Sequence, residues 1–409
     1  MKTDSEIILE AYYDKSNVED LKKRLDKLWY DNMATNKNIT NPFSTLSYLG
    51  TAYFCDRQKE TEELRDALYN GRNITLMSPR RMGKTGLIKH LFHQISPKEV
   101  NCFYVDIYDT KNMHDFTKAF AEAVLTQRIT PFSERISKEI TQLFGSLRPV
   151  FTPDPISGVM QCTIDLQPKR EELTLQQLFA YLEQSKLRCY VAFDEFQEMA
   201  GYQEEKAEAT LRTYIQHLTN VQFIFAGSKK HMMTEMFLSP NRPFFQSTQM
   251  MDIKAIDEQP YYEFAARHFA THKQQIDEAT FHEMYAIVKG HTWYVQALLN
   301  RLYQNGKAQI EYNDILLALN QLLEENAVSY QTYCHLITDR QLAVMQAVAR
   351  EGEVKEPGSN TFLQNHHLGA YSTVRSAITA LEEKELLYCE DGMYSVYDRF
   401  FGLWLKGTI

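Results

Sequence analysis

The run Ser78-Pro79-Arg80-Arg81-Met82-Gly83-Lys84-Thr85 follows the apolar stretch Ile74-Thr75-Leu76-Met77 and precedes Gly86-Leu87-Ile88-Lys89-His90-Leu91-Phe92. A strand, a loop ending Gly-Lys-Thr and a helix bring backbone N–H groups and a helix N-terminus to one small volume, which attracts phosphate oxygens. Residues Ser78 to Gly86 are therefore the expected nucleotide contacts, with Lys84 reaching the β- and γ-phosphates and Thr85 giving its hydroxyl to Mg2+. The first position carries Ser78 where the pattern has glycine, so the loop begins without the most permissive residue. Arg80 and Arg81 stand inside the loop, where one could reach phosphates while the other pairs with an acid.

Phosphoryl transfer also needs acids opposite such a loop. Tyr190-Val191-Ala192-Phe193-Asp194-Glu195 is an apolar strand ending in two of them. Asp194 would hold the metal through water, and Glu195 would orient and deprotonate the attacking water. The plainer alternative is a buried strand that runs into an acidic loop. A further strand, Phe223-Ile224-Phe225-Ala226, ends in Gly227-Ser228, so Ser228 is either a sensor touching the γ-phosphate or a helix cap. Charge on the γ-phosphate calls for an arginine, and Arg242 in Asn241-Arg242-Pro243 and Arg212 are both candidates. For the base and ribose, Phe54-Cys55-Asp56-Arg57 and Gly290-His291-Thr292-Trp293-Tyr294 are each placed to close over adenine. Trp293 itself reads better as core packing.

These groups must be positioned by a chain of 409 residues, long enough for two or three domains. From Phe54 onward short apolar runs alternate with longer helical stretches, the pattern of a parallel sheet wrapped by helices. The expected strands are Asn73 to Met77, Cys102 to Ile107, Cys189 to Phe193, Phe223 to Ala226 and Met250 to Ile256. Between Arg148 and Leu166 the prolines and alternating β-formers indicate an inserted hairpin before a helix from Leu173 to Leu187. After Pro260 the spacing is wholly helical, over Tyr261 to Thr271, Asp277 to Val288, Thr292 to Gln304 and Tyr312 to Ala327, which suggests a lid. The last seventy or so residues open on the capping box Thr338-Asp339-Arg340-Gln341. A short helix near Phe362 to His366, a third from Ser372 to Glu385, and a hairpin turning on Asp391-Gly392 follow. That is the plan of a winged helix-turn-helix. The expected division is an N-terminal helical extension at 1–41 containing an amphipathic Val18 to Trp29 helix and a linker from Asn32 to Asn41, a core at 42–257, a lid at 258–335 and the winged helix at 336–409.

The composition is that of a water-soluble chain, 44% hydrophobic and 24% charged, with no apolar signal segment and no run of membrane-spanning length. A cytoplasmic protein without membrane contact is expected. Six widely spaced cysteines without a Cys-x-x-Cys pair argue against a zinc knuckle or a disulfide framework. The net charge of −9 gives no global drive toward nucleic acid. Residues 338–409 hold seven Lys/Arg against ten Asp/Glu, and the third helix offers Arg375 against Glu382, Glu383 and Glu385. Phosphate contacts dominate DNA affinity, so a protein partner or an autoinhibitory contact is expected there in preference to DNA.

Taken together, the loop, the Asp-Glu pair, the Gly-Ser after the fourth core strand, the lid and the winged helix resemble the archaeal-type ATPase family, within the AAA-like and STAND-like P-loop ATPases. Its members carry Pro-Arg-Arg-x-Gly-Lys-Thr in the loop, and the resemblance covers about residues 42–409. It implies an α/β P-loop NTPase core with sheet order 5-1-4-3-2, a helical lid and a C-terminal winged helix. It also implies ATP or ADP with Mg2+, Phe54 and Arg57 near the nucleotide, and ATP-driven movement between core, lid and winged helix. Slow ATP hydrolysis coupled to a switch is the expected function. A nucleotide-locked sensor or scaffold with negligible turnover and an ATP-dependent DNA-binding regulator are the alternatives. The chain departs from the family at Ser78 and at Gly-His-Thr-Trp-Tyr, where the family tends to have Gly-Gly and a proline.

Overall fold

The computed structural model describes residues 41–129, 144–153, 160–204 and 206–407. The expected helix from Val18 to Trp29 and nearly all of the linker after it lie outside the described residues. The elements of the core are α1 (Gln58–Tyr69), β1 (Ile74–Met77), α2 (Lys84–Gln94), β2 (Val100–Asp106), α3 (Met113–Ile129), β3 (Leu147–Pro153), β4 (Met160–Leu166), α4 (Glu171–Glu183), β5 (Arg188–Asp194), α5 (Ala207–Ile215), β6 (Val221–Gly227), α6 (Lys230–Leu238) and β7 (Gln249–Asp252).

Five of these strands form one parallel sheet in the order β2-β5-β6-β1-β7. Counted among the sheet strands alone this is 5-1-4-3-2 from the β7 edge. The antiparallel hairpin β3–β4 is an insertion between the second and third sheet strands and shifts the labels. The central strands are apolar on both faces, as parallel strands covered by helices must be. Leu76, Ala192, Ile224 and Ala226 point to α1 and α2, where Leu64, Leu68, Leu87 and Leu91 meet them. Val191, Phe193, Phe223 and Phe225 point the other way, onto α3, α4 and α6. Phe225 packs 4.7 Å from Phe196 and 5.4 Å from Phe237 between ring centroids. The last strand ends at Asp252, short of the expected Ile256. Ile256 leaves the sheet for the lid's core, and its carbonyl accepts the Tyr285 hydroxyl at 2.6 Å.

The lid comprises α7 (Glu258–Thr271), β8 (Gln275–Ile276), α8 (Glu278–Ile287), α9 (Thr292–Asn305), β9 (Gln309–Ile310) and α10 (Tyr312–His335). The C-terminal segment adds α11 (Asp339–Glu351), α12 (Asn360–Asn365), α13 (Tyr371–Glu383), β10 (Leu387–Glu390), β11 (Met393–Val396) and α14 (Arg399–Lys406). The Thr338 capping box forms, with Thr338 N–H on Gln341 Oε1 at 3.0 Å and Gln341 N–H on Thr338 Oγ1 at 3.3 Å. Asp391 (φ 49°) and Gly392 (φ 79°) both take positive φ, the requirement of a tight type I′ hairpin turn.

Two features here were not expected. Helix α10 runs on to His335, beyond Ala327, and a final helix α14 follows the hairpin with Asp398 capping it. The two belong together, because Tyr330 on the added turns stacks on Phe401 at 5.1 Å and lies 5.7 Å from Trp404. Lid and C-terminal segment thus share one apolar core, from Phe264 and Val295 to Met345 and Phe400. A polar rim closes the joint. Arg399 N–H donates to the Tyr294 hydroxyl at 3.0 Å, and Arg399 Nη2 donates to His291 Nε2 at 3.2 Å. Burial, reinforced by Arg399 and Lys289, pushes the His291 imidazole down to about 4, so it stays neutral and able to accept.

Phe225→Ala empties a fully buried site among five aromatic rings; a loss of about 3–5 kcal/mol is expected in urea unfolding of the full chain. At the joint, an unfolded histidine takes up a proton near pH 6.5, whereas folded His291 resists until about 4. Stability therefore falls as pH drops through that window, because the unfolded chain binds the extra proton. His291→Gln keeps an acceptor without the titration, and melting curves between pH 7 and pH 4.5 should show a smaller loss than wild type.

Candidate nucleotide-binding site

The loop Ser78–Thr85 leaves β1 at the C-terminal edge of the sheet, in the crevice where open α/β sheets bind ligands. Its left-handed positions are Arg81 (φ 68°) and Gly83 (φ 94°), and Ser78 is not one of them. The serine therefore meets no backbone penalty at the position where the family pattern has glycine. Ser78 is fully buried and donates its hydroxyl to Pro79 O at 3.0 Å. Lys84 Nζ turns back onto Ser78 O at 3.0 Å and Pro79 O at 3.4 Å. Burial lowers the pKa of this ammonium, while Glu195 and Asp194 pull it upward.

Strand β5 delivers the acids. Asp194 is buried, and its Oδ2 accepts the Thr85 hydroxyl at 2.5 Å and the Tyr104 hydroxyl at 2.7 Å. Glu195 takes a left-handed backbone (φ 56°), its N–H bonded to Asp194 Oδ1 at 3.0 Å. Its Oε2 accepts the Ser228 hydroxyl at 2.7 Å and Gln197 Nε2 at 2.7 Å. Gln197 is itself fully buried and locked, because its Oε1 accepts the Ser228 N–H at 3.1 Å. Ser228 is accordingly no helix cap: Lys229 occupies the cap position of α6. A cavity of about 670 Å3 opens beside these groups, lined among others by Thr85, Lys89, Tyr104, Asp106, Asp194 and Glu195. Burial raises the Asp106 carboxyl above the usual range, and the charges of Asp194 and Glu195 add to the rise.

The donor set suits Mg2+. A hydroxyl and a carboxylate in contact are the hard oxygen ligands that this ion takes together with waters and nucleotide phosphates. Among the described residues no group of three or more His, Cys, Asp or Glu side chains is arranged to hold a metal. Such a cation would thus depend on the phosphates for its remaining ligands.

The loop is braced from three sides. Arg57 is buried and donates to Met82 O at 3.2 Å, Lys254 O at 2.6 Å and Glu60 at 2.6 Å, so its guanidinium supports the loop from behind. Phe54 lies over the start of α2, where a Cβ on Gly86 would come within 3.4 Å of its ring, and it stacks on His90 at 4.1 Å. From the lid, Trp293 N–H donates to Arg81 O at 3.0 Å and the Thr292 hydroxyl to Met82 O at 3.3 Å. The Gly-His-Thr-Trp-Tyr variant thus meets the loop directly. Trp293 is held by Thr45 O at 3.1 Å through its indole N–H, which agrees with the packing role.

The C-terminal segment supplies the third side. Arg81 Nη1 reaches the Tyr294 hydroxyl and Asp398 Oδ2, each at 2.7 Å, with its guanidinium 4.4 Å over the Trp293 ring. Arg80 pairs with Glu385 at 3.2 Å, and its N–H donates to the Tyr397 hydroxyl at 3.3 Å. Both loop arginines therefore pair with acids. Lys229 also reaches Glu385 at 2.7 Å, and Lys230 bridges Asp252 and Glu390, both at 2.8 Å. Arg242 is directed elsewhere: its guanidinium engages Glu208 at 2.5 Å and Glu235 at 3.6 Å, and neither belongs to the loop or the acid pair. The expectation of a γ-phosphate contact from Arg242 in this chain is not met by that arrangement. The helix α5 acid Glu208 captures the side chain first.

Residues 54–298 match a family model described as an ATPase domain predominantly from Archaea, and residues 328–407 match one described as a probable winged helix domain. No curated protein matches the chain in sequence. Among solved structures, a Walker-type ATPase of Pyrococcus abyssi is similar over 89% of this chain and 99% of its own, with TM-score 0.61 and 15% identity. The Aeropyrum pernix ORC2 protein, in ADPNP–ADP complexes, is similar over 85% of this chain and 91% of its own, with TM-score 0.53 and 14% identity. The Aeropyrum pernix ORC1 protein in complex with DNA is similar over 90% and 96%, with TM-score 0.50 and 11% identity. At these identities the structural likeness concerns the fold. The family model, by contrast, spans more than half of the sequence, and the chain belongs to this archaeal-type P-loop ATPase family, with a winged helix domain at its C-terminal end.

Proposed function

We propose that this chain binds ATP with Mg2+ at the loop Ser78–Gly86, hydrolyses it slowly, and couples the nucleotide to the docking of lid and winged helix on the core. The observation that carries the reading is the contact between Thr85 and Asp194, with Glu195 beside it at the mouth of the cavity. On binding, Lys84 would leave the carbonyls of Ser78 and Pro79 for the β- and γ-phosphates, exchanging weak dipoles for full charges. Thr85 and Asp194 would hold Mg2+, whose charge neutralises the phosphate oxygens. Glu195 would take a proton from the attacking water while the water oxygen bonds to the γ-phosphorus, and the electron pair of the broken bond remains on the β-phosphate oxygen. Ser228 and Gln197, both bonded to Glu195 Oε2, would fix that carboxylate and leave Oε1 to face the water.

A second reading, a nucleotide-locked sensor with incidental turnover, draws on the same two bonds, since they hold the Glu195 carboxylate within the protein. The contacts of Glu385 and Glu390 with Arg80, Lys229 and Lys230 favour a protein-contacting winged helix over a DNA reader, because acids of α13's end and of the wing already face the core. We also divide the chain into an extension at 1–41, a core at 42–257, a lid at 258–335 and a winged helix domain at 336–409.

Glu195→Gln should lower the turnover number by about 10²-fold or more while ATP still binds. An unchanged rate at saturating ATP would remove Glu195 as the base and favour the sensor. Lys84→Ala should abolish or strongly weaken nucleotide binding in calorimetry. Normal binding by that variant would show that the loop is not the phosphate site.

A further inference from the structure

Tyr397 stands 317 residues from Arg80 in the chain, yet its hydroxyl oxygen accepts the Arg80 backbone N–H at 3.3 Å. A phosphate-binding loop works by aiming such N–H groups at phosphate oxygens; here one of them is aimed at a side-chain hydroxyl. Because Tyr397 is the acceptor in this contact, its own O–H remains able to donate, and no described residue accepts it.

The ring is held in place from several directions. Tyr397 N–H donates to Leu386 O at 3.0 Å, and its ring meets that of Tyr388 edge-on at 5.6 Å. The next residue, Asp398, holds Arg81, while Glu385 holds Arg80 and Lys229. Two ion pairs to consecutive loop residues thus flank the hydroxyl. Burial, with Glu385 and Glu195 adding to it against the opposing charge of Arg80, pushes the phenol up to about 12, so it is a proton donor at neutral pH. Lys84 Nζ donates to Pro79 O at 3.4 Å, and the N–H of that same Pro79–Arg80 peptide donates to Tyr397. The hydroxyl therefore stands at the part of the loop that Lys84 serves, the β/γ end of a bound nucleotide.

We propose that Tyr397 is a nucleotide-contacting residue, whose hydroxyl donates to the terminal phosphate of bound ATP and makes the C-terminal segment the part of the site that distinguishes ATP from ADP. The inference rests on the ATP-site reading above and extends it. By linkage, a phosphate that gains a bond only in the docked arrangement favours that arrangement by the same factor. ATP then holds the winged helix against the loop more firmly than ADP does.

Tyr397→Phe retains the ring and removes only the hydroxyl. Competition against a fluorescent ADP, with ADP and the β,γ-imido analogue of ATP as competitors, should give near wild-type affinity for ADP and a loss of about tenfold for the analogue, as for a hydrogen bond to a charged group. Equal affinities to wild type for both, or an equal loss for both, would overturn the inference and leave Tyr397 a packing residue. Wild-type protein that binds neither nucleotide would overturn the ATP-site reading itself, which separates the two failures. A second measurement needs no variant: the β,γ-imido analogue should protect the C-terminal segment of wild type from limited proteolysis more than ADP does. Equal protection by the two nucleotides would also count against the inference.

Discussion

The Arg81 guanidinium is the charge around which the three parts of the molecule assemble. Although part of this side chain stays in water, a cation set between packed segments gains from a counter-charge and hydrogen-bond acceptors. Arg81 finds Asp398 ahead of α14, the Tyr294 hydroxyl on α9 and the face of Trp293. Desolvation would lower its pKa, but Tyr294 and Asp398 outweigh it and hold the group above its usual value. One side chain of the loop thereby ties together the lid and the C-terminal segment. Asp398 answers a second demand at once, since its Oδ1 accepts the Phe401 N–H and starts α14.

The acid pair depends on a different constraint, the register of a parallel sheet. Pairing of β2 with β5 sets Asp106 opposite Asp194 and places Tyr104 on the same face two residues earlier. From there the Tyr104 hydroxyl reaches Asp194 Oδ2, the oxygen that Thr85 also contacts. On the other side β6 ends at Gly227, and a Cβ there would lie 2.8 Å from Gln197 Oε1 and 2.3 Å from Met233 Sδ. Only glycine leaves room for Gln197 to reach the Ser228 N–H and hold Glu195. The sheet and its Phe193, Phe223 and Phe225 rings thus act as a rigid base for carboxylates that stand on strand tips and turns.

Much of this was legible in the residues themselves. The loop announced itself because a phosphate cradle needs a local order of strand, turn and helix. Strands β1, β5 and β6 showed as mainly apolar runs because burial on both faces leaves few polar positions. The Thr338 capping box and the Asp391-Gly392 turn showed because each satisfies its backbone within four residues. Legibility fell where the partner was distant. Gln197 and Tyr104 look like an ordinary polar residue after an acid and an ordinary β-former until the strand order is known. Arg242 looked available for phosphate because nothing local reveals that Glu208, on another helix, faces it. Helix α14 and the last turns of α10 were missed for the same reason, since Tyr330 and Phe401 bury each other across the joint.

By itself, then, the sequence determined the frame and the groups on which the proposed chemistry rests: Lys84 and Thr85 in the loop, Asp194 and Glu195 at a strand end, a lid and a winged helix after them. These follow from short-range physics, the periods of helix and strand and the backbone demands of a tight loop. Tertiary structure alone decided the neighbours of that chemistry. It turned both loop arginines to acids of the C-terminal segment, held Glu195 with Gln197 and Ser228, and set the Tyr397 hydroxyl on the loop's backbone. The contacts of Arg80 and Arg81 join residues about three hundred positions apart, and a charge or donor selects its partner by distance in space, which no spacing along the chain encodes.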